Sequence, residues 1–146
     1  QIILTSREAH GRIRELKEIL GWPILLQQQE AYLLPGLASL VSFVDEYKTS
    51  SGIQLLWTPG PTPGSCVVYA PSPWNVLFCG RLLIPVAQDQ LASKPNSRTF
   101  HWPRQQRSLE KLRKWIPKDT LPSLASGAGL GMLRDKKLVP WDGWKY

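Results

Sequence analysis

Thr58-Pro59-Gly60-Pro61-Thr62-Pro63-Gly64-Ser65 is the stretch whose reading decides the fold. Three prolines and two glycines in eight residues make a rigid corner that neither a helix nor an inner strand tolerates. Apolar, β-prone runs flank it. Ile53 to Trp57 reads as a strand entering the loop, and Ser65 to Ala70 as a strand leaving it. Pro71-Ser72-Pro73-Trp74 then separates that run from a second, Asn75 to Gly80, which predicts a hairpin. With the turn centred there, position numbers summing to 145 face each other, and Cys66 stands opposite Cys79. Two readings follow: a bonded pair, if the geometry allows it, or two reduced thiols buried as small hydrophobes, which is the preferred one.

Outward from the hairpin the elements are short. Ile2-Ile3-Leu4 reads as a buried strand. From Gly11 to Leu20 the apolar residues Ile13, Leu16, Ile19 and Leu20 recur at helical spacing, and Gly21 and Pro23 end the helix. Pro23 to Leu26 is a second short strand, and Gln27 to Leu34 a helical turn broken by Pro35-Gly36. Leu37 to Tyr47 is mixed and fits neither period. Residues 85 to 103 read as a long loop. Ser108 to Trp115 predicts a basic amphipathic helix with Leu109, Leu112, Trp115 and Ile116 inward. Leu121 to Ala125 is a last strand, and Gly127 to Gly131 a turn. Strands alternating with helices define an α/β class.

Composition narrows the field. With 146 residues, 42% hydrophobic and 20% charged, the chain suits one domain with a sizeable core. No apolar run approaches the length of a membrane span. The net charge of +7 permits an acidic protein, nucleic acid or an anionic surface as partner and selects none of them. Seven tryptophans supply large contact area, inside or at a surface. Two cysteines are too few for a disulfide-rich secreted scaffold. No signal peptide is visible, and the start at Gln1 is that of a mature form, a fragment or a trimmed chain.

The order of these pieces resembles the metallo-β-lactamase-fold hydrolases over nearly the whole chain. In that family a strand ends in Leu-Thr before a His- and Asp-rich loop, and a helix and Gly-x-Pro lead to the next strand. A Thr-Pro-Gly-His-Thr-Pro-Gly-Ser loop, a hairpin ending in Gly-Asp, a helix and a Gly-His-Gly-type turn follow. Here Leu4-Thr5, Gly21-Trp22-Pro23, Thr58 to Ser65, Leu77 to Gly80 and Gly127-Ala128-Gly129 stand in that order. The resemblance implies an αββα sandwich, a mixed sheet with flanking helices. A partial or truncated version is expected: residues 1–146 as a single such domain whose first ligand loop comes within ten residues, with the N-terminal strands of the full fold either absent from this chain or supplied by another segment. An open sheet edge left by such a gap would invite a partner strand. Residues 99 to 116 also look like a cyanobacterial and plastid branch of the family, which implies a cytoplasmic or stromal setting.

The positions that should hold metal are changed. The central-loop histidine is Pro61, the aspartate after Gly80 is Arg81, and the last-turn histidine is Ala128. In the first loop Ser6 and Ala9 stand for histidines and Glu8 for the acid, while His10 falls in a ligand place only under a shifted alignment. Activating water on a metal needs imidazole nitrogens and carboxylates converging on one point. Proline and alanine offer no ligand atom, and Arg81 brings a fixed cation where a carboxylate should hold one. Arg81 is expected to pair with Glu8 across the old site. A lone His10 is more often a loop residue than a ligand, and His101 a packing or surface residue. No Ser-His-Asp arrangement or nucleophile elbow surrounds Ser6 or Ser65. Gly127 to Gly131 lacks phosphate-loop spacing.

The expectation is a non-catalytic domain with no cofactor. It would hold a protein partner through a basic surface that includes Arg104, Arg107, Lys111, Lys114 and Lys118. The bland alternative for that surface is a solvated helix face. Two other functions stay open: a residual metal hydrolase built on Glu8 and His10, and a nucleic-acid module using basic charge and exposed tryptophan.

Overall fold

The computed structural model describes residues 1–145. Strands β1 (Ile2–Ile3), β2 (Ile24–Gln27) and β3 (Leu40–Phe43) form a parallel sheet in that order. Helix α1 (Ile13–Leu20) connects β1 to β2, and the single turn α2 (Gln28–Ala31) follows β2 directly. The second sheet has the order β10-β7-β6-β5-β4. It contains β4 (Glu46–Lys48), β5 (Gln54–Trp57), β6 (Cys66–Ala70), β7 (Val76–Gly80) and β10 (Ser123–Ser126). Its strands run antiparallel except for β10, which lies parallel to β7. A small sheet of β8 (Ile84–Ala87), β9 (Gln90–Ala92) and β11 (Trp144–Lys145) sits beside it, and helix α3 spans Trp102–Trp115.

Alternation along the strands builds the layers. In β2, Ile24 and Leu26 pack with Leu4, Ile13 and Leu34 under α1, while Leu25 packs with Phe43, Leu55, Cys66 and Val68 between the two sheets. In β5, Leu55 joins that middle layer, and the next residue, Leu56, joins the layer under α3 with Val67, Leu77, Leu112 and Ile116. The result is helix, sheet, sheet, helix, with both central strands buried on two faces. This is the expected αββα sandwich.

The hairpin register differs from the sequence expectation by one residue. Val68 pairs with Phe78, Tyr69 with Leu77 and Ala70 with Val76, so facing positions sum to 146. A one-residue slip turns a side chain to the other face. Cys66 therefore lies in the middle layer and Cys79 in the layer under α3, and both thiols are free. The reduced, buried reading holds. Other elements were hidden in the sequence. Leu37 to Tyr47 contains β3 and the start of β4, and the stretch read as one loop from 85 to 103 opens with the β8–β9 hairpin. Helix α3 begins six residues before Ser108, because the His101 Nδ1 caps it by accepting from the Arg104 N–H at 3.2 Å and Pro103 lies in its first turn.

Helix α1 departs from its pattern as well. Of its four apolar residues only Ile13 is buried, and Ile19 is 73% exposed. The sheet behind it ends at β1, two residues long, and does not reach under the rest of the stripe.

Burial pushes both cysteine thiols up to about 12, since a thiolate has no solvation there. Neither Cys66 nor Cys79 is expected to react with a thiol reagent in the native protein, and both should react in denaturant. Labelling followed by mass spectrometry checks this; a doubly protected protein that stays unreactive when unfolded without reductant would mean a bond.

Candidate functional site

The Thr58 to Ser65 loop is largely buried, so its backbone polar groups need partners, while the Thr58 hydroxyl is buried without one among the described residues. Thr58 N–H donates to the Ser65 carbonyl at 2.8 Å and closes the loop on itself. The Trp57 indole N–H reaches the Pro63 carbonyl at 2.8 Å. From the α3 side, the Ser108 hydroxyl donates to Pro59 O at 2.7 Å, and the backbone N–H groups of Phe100 and His101 donate to Pro61 O and Gly60 O. The prolines lack N–H groups, so the loop leaves mainly carbonyls to satisfy, and the start of α3 supplies the donors.

The other side of the loop rests on Glu30, which is 1% exposed. Its Oε2 accepts from Arg7 Nε at 2.6 Å, and its Oε1 accepts from the Thr62 hydroxyl and from the Arg7 backbone N–H at 3.3 Å. One carboxylate on α2 thus ties the first loop to the central loop. Gly64 permits the approach: a Cβ there would lie 2.4 Å from Glu30 Cγ. The later corners join the same end of the sandwich. Cys66 N–H donates to Thr5 O at 2.8 Å, and Gly127 N–H to Gly80 O at 2.7 Å.

These contacts bring Glu8, Pro61, Arg81 and Ala128 to the wall of one cavity of about 130 Å³. Four of the positions singled out in sequence, scattered over 120 residues, therefore meet. Lys94, Arg98 and Gln105 line it too. Arg81 Nη2 stands 3.9 Å from Glu8 Oε2, and Arg98 Nη1 stands 3.7 Å from the same oxygen. Both are ion-pair distances too long for hydrogen bonds. Ser6 is buried and does not line the cavity; its hydroxyl accepts from Glu8 N–H at 3.2 Å and shapes the loop. Ala9 and His10 lie elsewhere, along a groove under α1 with Ile2, Leu4, Ile13 and Leu16. The His10 imidazole is held below its ordinary pKa, first by burial and then by the Arg7 cation, with Glu30 opposing.

The donor set does not fit a metal ion. Glu8 is the single carboxylate on the cavity wall, two guanidinium groups surround it, and Pro61 and Ala128 bring no ligand atom. Among the described residues no three of His, Cys, Asp and Glu converge. No step through a metal is derived from these residues.

The basic surface on α3 is partly committed. Lys111 pairs with Asp45, donates to Trp57 O at 3.2 Å and lies with Arg104 over the Trp57 ring. Arg107, Lys114 and Lys118 are exposed. Sequence reasoning missed Glu30 and Arg7, whose pairing is visible only once β2 and the first loop are neighbours. It missed Lys94 and Arg98 because they sat in a segment without a pattern.

No protein-family model matches the sequence, and no curated protein matches it. Solved structures do resemble it in three dimensions. TTHA1623 in a di-iron-bound form superposes with a TM-score of 0.68 at 20% identity, over 93% of this chain and 74% of that one. The BLEG-1 B3 metallo-β-lactamase gives 0.69 at 19% identity, over 97% and 72%. The archaeal metallo-β-lactamase superfamily protein ST1585 from Sulfolobus tokodaii gives 0.60 at 16% identity, over 97% of this chain and 63% of that one. The chain has the metallo-β-lactamase fold and is shorter than these neighbours.

Replacing Glu30 by Gln removes charge-assisted bonds to Arg7 and Thr62 and should cost about 3 kcal/mol in denaturant unfolding. A cost near zero would mean that the carboxylate is not what anchors the loop. For His10 the sign is that of a cation disfavoured by the fold. Its contribution is fully present above the unfolded value of 6.5 and is lost as pH falls below it. The stability gap between the wild type and His10→Gln should therefore shift against the wild type on acidification from neutral pH. Parallel unfolding-free-energy curves would contradict this.

Proposed function

We propose that this chain is a non-catalytic metallo-β-lactamase-fold domain that acts as an interaction or scaffold module. The observation that carries the reading is the meeting of Glu8, Pro61, Arg81 and Ala128 on one cavity wall. The family resemblance assigns metal-ligand places to all four, and only Glu8 has a metal-binding side chain. A guanidinium cannot be deprotonated to become a ligand, and its charge repels an incoming metal cation. The loops around the cavity keep the residues that shape backbone, and the residues that would do chemistry are replaced.

A scaffold needs a surface for its partner. Arg107 and Lys114 on α3, and Lys118 just beyond its end, present exposed cations complementary to an acidic protein surface. Single-strand nucleic acid is served less well, because the Trp57 ring that could stack a base has Arg104 and Lys111 over it.

Supplied with zinc, iron or manganese, the purified protein is expected to hydrolyse no ester, thioester, phosphodiester or β-lactam above the buffer rate. Metal-dependent turnover abolished by Glu8→Ala would overturn the reading. A partner that co-purifies stoichiometrically from the native source should be lost when Arg107, Lys114 and Lys118 are together replaced by Glu.

A further inference from the structure

The cavity holds more positive charge than the protein uses. Arg81, Lys94 and Arg98 line it against the single carboxylate of Glu8, leaving two positive charges in excess. Among the described residues neither the Arg81 nor the Arg98 guanidinium donates a hydrogen bond, and each meets Glu8 only at 3.7 to 3.9 Å. Their directional N–H forks are thus unspent. Arg81 is 35% exposed in its side chain, so most of it lies in the wall while its charge still meets solvent. The space of about 130 Å³ lies well below the roughly 300 Å³ of pockets that enclose a drug-sized ligand.

We propose that this cavity binds a small phosphate-type dianion. The excess charge matches the roughly two negative charges of a phosphate group near neutral pH. Guanidinium forks match its tetrahedral edge in pairs of parallel hydrogen bonds. A phosphate seated between Arg81 and Arg98 supplies the acceptors that both lack and displaces Glu8 from its loose position between them. The site stands on the charges and the cavity alone, whatever partner α3 holds, so it can fail without touching the scaffold reading. The ligand is either free phosphate or the terminal phosphate of a larger molecule.

Calorimetric titration with inorganic phosphate at fixed ionic strength tests this. One-site binding is expected, weakened about tenfold by Arg98→Gln and likewise by Arg81→Gln, the loss of one charge-assisted contact each. Arg98 is exposed, so its variant keeps the test open if Arg81→Gln folds poorly. Lys48→Gln, on the edge strand β4 and outside the cavity lining, should change nothing. Glu8→Gln removes the competing carboxylate and should tighten binding. A phosphate held through a bound metal would instead weaken in Glu8→Gln, and that result would overturn the proposal. So would absence of binding heat, or equal weakening in Lys48→Gln. Phosphoserine titrated in parallel separates the sources: tighter binding than inorganic phosphate assigns a terminal phosphate, and equal or weaker binding assigns the free ion.

Discussion

The Glu30 carboxylate is the contact on which the functional end of the molecule depends. It sits on α2, just after β2, with the Arg7 guanidinium on one oxygen and the Thr62 hydroxyl on the other. A buried carboxylate is tolerated only when paired and fully hydrogen-bonded, and here the partners come from two different loops. The pairing fixes where the first loop turns and where the Pro/Gly loop descends. Gly64 has no side chain because that carboxylate occupies its place. Everything placed on the cavity wall, from Glu8 to Pro61, inherits its position from this arrangement.

Around that anchor the four-layer sandwich supplies rigidity. The inner strands β2 and β5 are buried on alternate faces by different layers, so a change of register would expose one core and overfill the other. The loops at one end are then free to vary in chemistry while the frame stays put. Here these loops carry cations. Arg81 and Arg98 approach Glu8 from different elements, and the corner glycines at Gly80 and Gly127 keep their backbone contact.

Much of this was legible in the sequence. The Thr58 to Ser65 loop, read with the order of the pieces around it, carries the fold class and the positions of Pro61, Arg81 and Ala128. Its prolines and glycines encode backbone shape, which is local and therefore readable. What escaped depends on contacts distant in sequence. The hairpin register was off by one because a turn with several prolines has no unique centre. The β8–β9 hairpin was missed because its strands are three or four residues long and one contains Pro85. The apolar stripe of α1 was read correctly as a helix, yet the sheet behind it covers only Ile13. The Glu30 anchor gave no signal, since a lone acid among glutamines looks like a solvated turn.

In the proposed reading, fixed cations and non-ligand side chains stand where the family resemblance places metal ligands. Metal content measures it most directly. Protein equilibrated with excess zinc and then freed of unbound ion should carry far less than stoichiometric zinc by elemental mass spectrometry, with Glu8→Ala indistinguishable from the wild type. Stoichiometric zinc in the wild type that disappears in Glu8→Ala would contradict the account.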